Sequence, residues 1–461
     1  MKERILSTLH DLWAYARQKG YEVSLFFHEE DSYLMRFANS AISLNTNEHL
    51  IRLNVTAYED RKRAEYELIT DLGKVDEMKK AIDAAAELAK HAQPLNYQPS
   101  IPTLSETFSD ESSFDPALAQ LSNEDRLAFF NRASEGLEST DIKLSGIFSN
   151  GVTTLAQINT RSEHSQFFKT SDAQVTLVLS HATLKWEVTA EQSSWQKEGL
   201  DPVPLRADLA FLVERYQKDT PQQLPLGTYD VVFGPAATAD MINFMNYIGF
   251  NGGMMKRGFS FSDEEKLGQK VFSEKINLSD DASCKDTFPF KQDFMGRPRA
   301  NFPLYKKGVF QAFTWSQDDA DEFSVPATPH SVMHKSLVLA GGNQKVDTLV
   351  DLVKYPREKD VLYIPFLHYM NIVNPSKGVV TASSRFGALL LKKDGSVVVP
   401  FNVRITQSLL DIFGEKVAWL SKSTVPYNTS LSYGARNPSA IVVPTFMYVK
   451  DLEISHSNSS Y

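Results

Sequence analysis

Apolar residues at every second position are the feature that most limits what this chain can build. Val23, Leu25 and Phe27 alternate with polar neighbours, and the period continues through residues 40–44 to Ile51, Leu53, Val55 and Ala57. Strands with one face buried show this pattern, and consecutive runs of it read as an antiparallel meander. Ahead of the meander, Ile5, Leu9, Leu12 and Ala16 recur at helical spacing, with Gly20 placed to close a helix. Behind it, Val75, Met78, Ile82, Ala85 and Leu88 form a stripe in the Ala-rich segment 74–91. Helix, sheet and helix make one α+β unit.

Residues 93–116 are rich in Pro, Ser, Thr and Asp and read as a long connection. Beyond them, residues 122–138 look helical. Val175, Leu177 and Leu179 alternate, as do Leu184, Trp186, Val188 and Ala190, which points to a second sheet before a helix at about residues 206–218. The clearest linker is residues 219–225, with two prolines. A third region opens with a strand at 229–233 and a helix at 235–250. It closes in short β runs at 361–366, 386–391, 397–399 and 441–449, with Asp394-Gly395 as a hairpin turn. The expected class is α+β: N-terminal α/β units with antiparallel sheets, then a β-dominated C-terminal domain, divided as 1–95, 96–224 and 225–461. The late β runs carry more apolar surface than one helix covers, so association through the third region is expected.

With 48 Lys and Arg against 57 Asp and Glu, the formal charge of −9 argues against nucleic-acid binding, which is built on clustered cations. The one cysteine, Cys284, rules out an intrachain disulfide and suits a reducing compartment. The first residues are charged and amphipathic, and the most apolar stretch, 440–449, is broken by Pro444. A cytoplasmic protein without membrane contact is expected.

Few residues advertise chemistry. His330 and His334 stand at i, i+4, which on a helix would place two imidazoles together, but Pro326 and Pro329 argue against a helix there. The alternative is two ordinary histidines after an acidic turn. Cys284 lies among Asp280, Asp281 and Asp286, which disfavour a thiolate. No Gly-x-Ser-x-Gly elbow, Walker-type loop or Gly-x-Gly-x-x-Gly turn occurs. Gly249, Gly252 and Gly253 allow close approach of a ligand or another chain, or merely cap a helix.

Together these pieces resemble the TldD/PmbA family, the peptidase-related modulators of DNA gyrase. The likeness lies in residues 21–25, 37–42 and 53–65, then Gly252-Gly253, Ser260 and Ser262, Leu267-Gly268, Asp293 with Gly296, and residues 306–309. It is densest in Val373-Asn374-Pro375-Ser376-Lys377-Gly378, Phe386-Gly387-Ala388 and residues 400–405. In TldD-like members a helical HExxxH motif and a later cysteine hold a metal that activates water for peptide cleavage. Met245, Asn246 and Phe250 stand at the ligand and base positions here, and no cysteine occurs between Ser421 and Tyr461. Met295 replaces an acidic residue common in the family. The resemblance is therefore to the PmbA/TldE-like branch. It implies no catalytic or metal-binding residue and no cofactor in this chain, with zinc held by a TldD-like partner. The implied role is a peptide-binding subunit of a metallopeptidase complex with that partner. A self-paired peptide-binding protein, or a metalloenzyme with relocated ligands His330 and His334, is the alternative. An unfolded peptide would lie along a sheet edge, with Asn251, Gly252, Gly253, His330 and His334 as the candidate wall.

Overall fold

A helix α1 (Lys2–Lys19) starts the chain, burying Ile5, Leu9, Leu12 and Ala16 and ending at Gly20, whose φ of 73° only glycine adopts freely. The computed structural model describes residues 1–330, 335–430 and 435–457. Strands β1 (Glu22–Ala38), β2 (Ala41–Glu59) and β3 (Lys62–Thr70) form the expected meander, and α2 (Val75–His91) packs beside α1 on its inner face. The buried stripe of α2 is Met78, Ile82, Ala85 and Ala89. Leu88 is 49% exposed, because after Ala85 the 3.6-residue period brings Ala89 inward.

The connection read at 93–116 holds a short strand, β4 (Phe108–Ser113), of mostly polar side chains; it pairs in parallel with β6 and shows no apolar period. Helices α3 (Pro116–Ala119) and α4 (Asn123–Ser134) follow, then β5 (Ile142–Asn159), β6 (Ser165–His181), β7 (Glu187–Ser194) and α5 (Pro202–Lys218). No second sheet forms here. The order is β3-β2-β1-β5-β6-β4, with β7 on β6, and Leu25 of β1 lies opposite Ile158 of β5. One sheet thus runs through both sides of residue 95. The pattern concealed this because most of β5 is covered on both faces, so its inward and outward residues do not differ in polarity.

The C-terminal region begins with β8 (Gly227–Phe233), α6 (Pro235–Ile248) and α7 (Gly252–Lys256). Next come β9 (Leu278–Asp281), β10 (Asn301–Lys306), β11 (Val309–Phe310), α8 (Gln317–Phe323), β12 (Leu337–Leu339) and α9 (Leu349–Lys354). Strands β13 (Val361–Ile364), β14 (Phe366–Asn374), β15 (Val379–Arg385), β16 (Leu389–Leu391), β17 (Val397–Val398) and β18 (Val403–Ser408) lead to α10 (Leu409–Ile412). The described chain closes with β19 (Val417–Leu420), β20 (Thr424–Asn428), β21 (Ala440–Pro444) and β22 (Met447–Ser457). One sheet runs β14-β15-β18-β22-β8-β13-β16-β17 with β19 on β22; the other runs β11-β10-β9-β12-β21-β20. Helix α6 shares a core with strands of both, and nine of its residues are buried, as its apolar composition on all sides requires.

The apolar runs expected to drive association are internal. Leu362 and Ile364 face the core around α6, while Val361, Tyr363, Leu389 and Leu391 pack with Leu205, Leu209 and Leu212 of α5. The exposed apolar residues of this sheet lie on its end strand β14: Tyr369, Ile372 and Val373.

The loop before β21 is bound to the N-terminal sheet through Arg436, which is 3% exposed. Its guanidinium forks onto Asp172 of β6, Nε to Oδ1 at 2.7 Å and Nη2 to Oδ2 at 2.9 Å, and donates to Ser149 Oγ on β5. Its backbone N–H donates to the Glu30 carboxylate, which also accepts from Arg52 at 2.9 Å. His28 Nε2 and Thr153 Oγ1 reach the Arg436 carbonyl oxygen. Gly151 makes room, since a Cβ there would stand 2.4 Å from the Asp31 carbonyl oxygen and 2.7 Å from Arg436 Nε. Replacing Arg436 by Met leaves Asp172 buried without its cation, so Arg436→Met is expected to lower unfolding stability by about 3–5 kcal/mol in denaturant titrations. A loss under ~1 kcal/mol would show the pair to be dispensable.

Candidate functional site

The candidate residues converge around Thr314 and Lys335. Helix α6 carries Met245 and Asn246, exposed by 1% and 3%. It ends at Ile248, short of the expected residue 250, because Gly249 closes it where any Cβ would lie 2.8 Å from the Met245 carbonyl oxygen and 2.9 Å from the Phe261 ring. Phe250 therefore stands beyond the helix, fully buried, and a sixth-position side chain does not complete a helical motif with residues 245 and 246.

What meets Asn246 is a lysine. Lys335 Nζ donates to Asn246 Oδ1 and, at 3.0 Å, to Thr314 Oγ1, and it stands 4.9 Å from the centre of the Phe250 ring. Burial pushes its pKa down to about 7, although Asp280 opposes that fall; Arg299 adds to it. A thioether, a carboxamide and a phenyl ring, with an amine bonded to the carboxamide, do not supply the three ligands and proton acceptor of a catalytic zinc. The donor set here does not fit that metal.

Beside this lysine is a buried ionic cluster. Asp280 of β9 accepts from Arg299 Nη2 at 2.8 Å and from the Ser336 backbone N–H at 2.8 Å, and its other oxygen pairs with His330 Nδ1. Burial alone would raise the Asp280 pKa, but Arg299 and His330 hold it below the usual carboxylate range. His330 is stacked on Phe302 with ring centres 4.4 Å apart and lies in no helix. It lines a cavity of about 200 Å³ with Phe290, Gln292, Met295 and Arg297. The i, i+4 helical spacing therefore has no basis at His330; His334 lies outside the described residues. No group of three or more His, Cys, Asp or Glu side chains able to hold a metal occurs among the described residues.

Asn251, Gly252 and Gly253 join the site through Thr314. The Gly252 N–H donates to the Thr314 carbonyl oxygen at 2.9 Å, while Thr314 N–H donates to that of Phe250 at 2.8 Å. Asn251 Oδ1 caps α7 by accepting from the Met254 N–H at 3.0 Å. A Cβ on Gly252 would lie 2.4 Å from the Trp315 ring, and one on Gly253 2.2 Å from Asp319. The close approach that these glycines permit is made by the chain itself, so bulky replacements there strain the fold. Burial raises the Cys284 pKa, which disfavours a thiolate, although a hydrogen bond from the Asp286 backbone partly opposes the rise.

Sequence reasoning missed Lys335, Thr314, Asp280 and Arg299 as members of one site. The one available signal was a lysine opening the apolar run 335–339, too common a pattern to single out.

Residues 226–456 match the PmbA/TldA metallopeptidase C-terminal domain. No curated protein matches the chain in sequence. Solved structures share its fold, three of them as follows. TldE from Thermococcus kodakarensis superposes with a TM-score of 0.78 at 16% identity, covering 97% of this chain and 100% of that one. A putative modulator of a DNA gyrase from Thermotoga maritima MSB8 gives 0.75 at 14% identity, covering 97% and 99%. A putative modulator of DNA gyrase from Bacteroides thetaiotaomicron gives 0.72 at 15%, covering 96% and 98%.

The lysine carries a pH signature. Its folded value of about 7 lies below its ordinary 10.5, so between those values the unfolded chain holds a proton that the folded chain lacks. Stability from this group therefore rises with pH across about 7 to 10.5, and its penalty is largest below 7. Urea titrations at pH 7, 8 and 9 are expected to show the parent gaining on Lys335→Met at each step. Parallel pH dependence in the two proteins would place the amine in contact with water.

Proposed function

Because the chain belongs to the PmbA/TldD family, whose C-terminal domain spans residues 226–456, we propose that it is a non-catalytic, peptide-binding subunit of a metallopeptidase complex, paired with a TldD-like partner that holds the metal. The observation carrying this reading is the contact of Lys335 with Asn246, in which a protein amine takes the polar atom offered at the base position of the family's metal motif. Without carboxylate or imidazole at 245, 246 and 250, these positions have nothing to polarise a water, and the peptide bond would be broken on the partner. The fold it shares with TldE of Thermococcus kodakarensis is consistent with this assignment.

The surface offered to a partner is β14. It ends the nine-stranded sheet, so one side of its backbone has no neighbouring strand in that sheet, and Tyr369, Ile372 and Val373 are exposed by 73%, 39% and 57%. Apolar side chains on a free sheet edge are what strand addition or a second subunit would cover. A second copy of this chain would use the same edge, which keeps the self-paired form as the alternative.

Elemental analysis of the purified chain is expected to find no stoichiometric zinc, and the chain alone is expected to leave unfolded peptides intact. Adding a TldD-like protein from the same source should produce cleavage and a co-eluting complex. About one tightly held zinc per chain, or cleavage by the chain alone, would overturn the assignment. Separately, Ile372→Asp and Val373→Asp should each weaken association by about 1–3 kcal/mol, the scale of burying one such side chain, without lowering the thermal midpoint. Association that both variants leave unchanged would place the interface elsewhere.

A further inference from the structure

A cavity of about 330 Å³ lies apart from the Lys335 site, between β7 and α5 on one side and β13 and β20 on the other. Glu191, Asp208 and Asp347 line it, and among the described residues no Lys, Arg or His does. Asp240 on α6 is close enough to Glu191 to raise its pKa further. Asp347 is exposed, whereas Glu191, Asp208 and Asp240 are half-buried and have no hydrogen-bonding or ion-pair partner among the described residues, although carboxylates withdrawn from water are normally paired. Burial pushes Glu191 up to about 8, Asp240 to about 7 and Asp208 to about 6.

The second observation is a phenol. Tyr363 of β13 is 5% exposed, lines the same cavity and has no hydrogen-bond partner among the described residues. Burial raises its pKa, and the charges of Asp208 and Glu191 raise it further, so the ring stands with the carboxyl groups and not away from them. Tyr427 of β20 responds to Glu191 and Asp240 in the same way. The remaining wall is apolar, built from Leu205, Leu212, Leu349 and Phe446. Unpaired acids and an unpaired phenol against an apolar wall describe a receptor for a cation carried on a hydrocarbon stem. A divalent metal would ask instead for six or more oxygen ligands, which leucine walls do not supply.

We propose that this cavity binds an aliphatic primary ammonium group, with the carboxyl groups of Glu191 and Asp208, ionised in the complex, as its partners, Tyr363 as a hydrogen-bonding partner and the leucines around its stem. The lysine side chain of an extended peptide and a free alkyl diamine both present this chemistry. The proposal is independent of the partner assignment, because the site lies wholly within this chain.

Calorimetric titration of the full chain with cadaverine, with the amide of Ala-Ala-Lys-Ala-Ala, with the same peptide carrying norleucine, and with calcium chloride tests it. Cadaverine or the lysine peptide should bind, and Glu191→Gln and Asp208→Asn should each weaken that binding at least about tenfold, the effect of losing one charge contact. Thermal midpoints at or above the parent's would show both variants to be folded. Tighter binding of the lysine peptide assigns the site to a peptide side chain, and tighter binding of cadaverine assigns it to a free amine. Equal binding of the norleucine peptide, preference for calcium, binding unchanged in both variants, or no heat with either amine at millimolar concentration would each overturn the proposal.

Discussion

The buried contact between Arg436 and Asp172 ties the loop before β21 to the N-terminal sheet, alongside the apolar core that α5 shares with β13 and β16. A guanidinium and a carboxylate removed from water are tolerable only when each polar edge finds a partner. Here Ser149, Glu30, Arg52, His28 and Thr153 contribute to a network around the pair. Burial lowers the His28 pKa, and its hydrogen bond to the Arg436 carbonyl group opposes that fall. Gly151 is the steric condition for the pair, since the backbone of β1 and the arginine both pass where a side chain would stand.

A buried amine, that of Lys335, governs the candidate site. Helix α6 is largely buried, and the carboxamide of Asn246, 3% exposed, must be satisfied in the core. Lys335 satisfies it, and Thr314 takes another of the amine's hydrogen bonds. Thr314 in turn connects the segment after α6 to Trp315, which rests against Gly252. Met245, Asn246 and Phe250 are thereby absorbed into the packing, with Asp280, Arg299 and His330 setting the charge nearby.

The α1 helix and the second half of β2 were legible because each has one wet face and one dry face, and the two periods then separate cleanly; β1 was legible from Val23, Leu25 and Phe27 although its neighbours are largely buried too. The helix α5 and the strands β8 and β13 were legible on the same ground or from their apolar runs. Legibility failed where both faces are covered or neither is. Most of β5 is buried on both sides and holds Asn150, Thr153, Thr154 and Gln157 in the interior, so it resembles a loop in composition. The opposite holds for β4, whose polar side chains surround one buried serine.

The order of amino acids by itself determined the secondary elements with contrasting faces, the excess of acid over base, and the neutral side chains at Met245, Asn246 and Phe250. Those are local properties, set by residue type and by spacings of two to four. Only the tertiary structure decided that strands on both sides of residue 95 share a sheet, that Lys335 meets Asn246 from 89 residues away, and that Glu191, Asp208 and Tyr363 line one cavity. Such contacts depend on long-range closure, where partners far apart in the chain are chosen by the packing of whole layers, and no short pattern in the sequence carries that information.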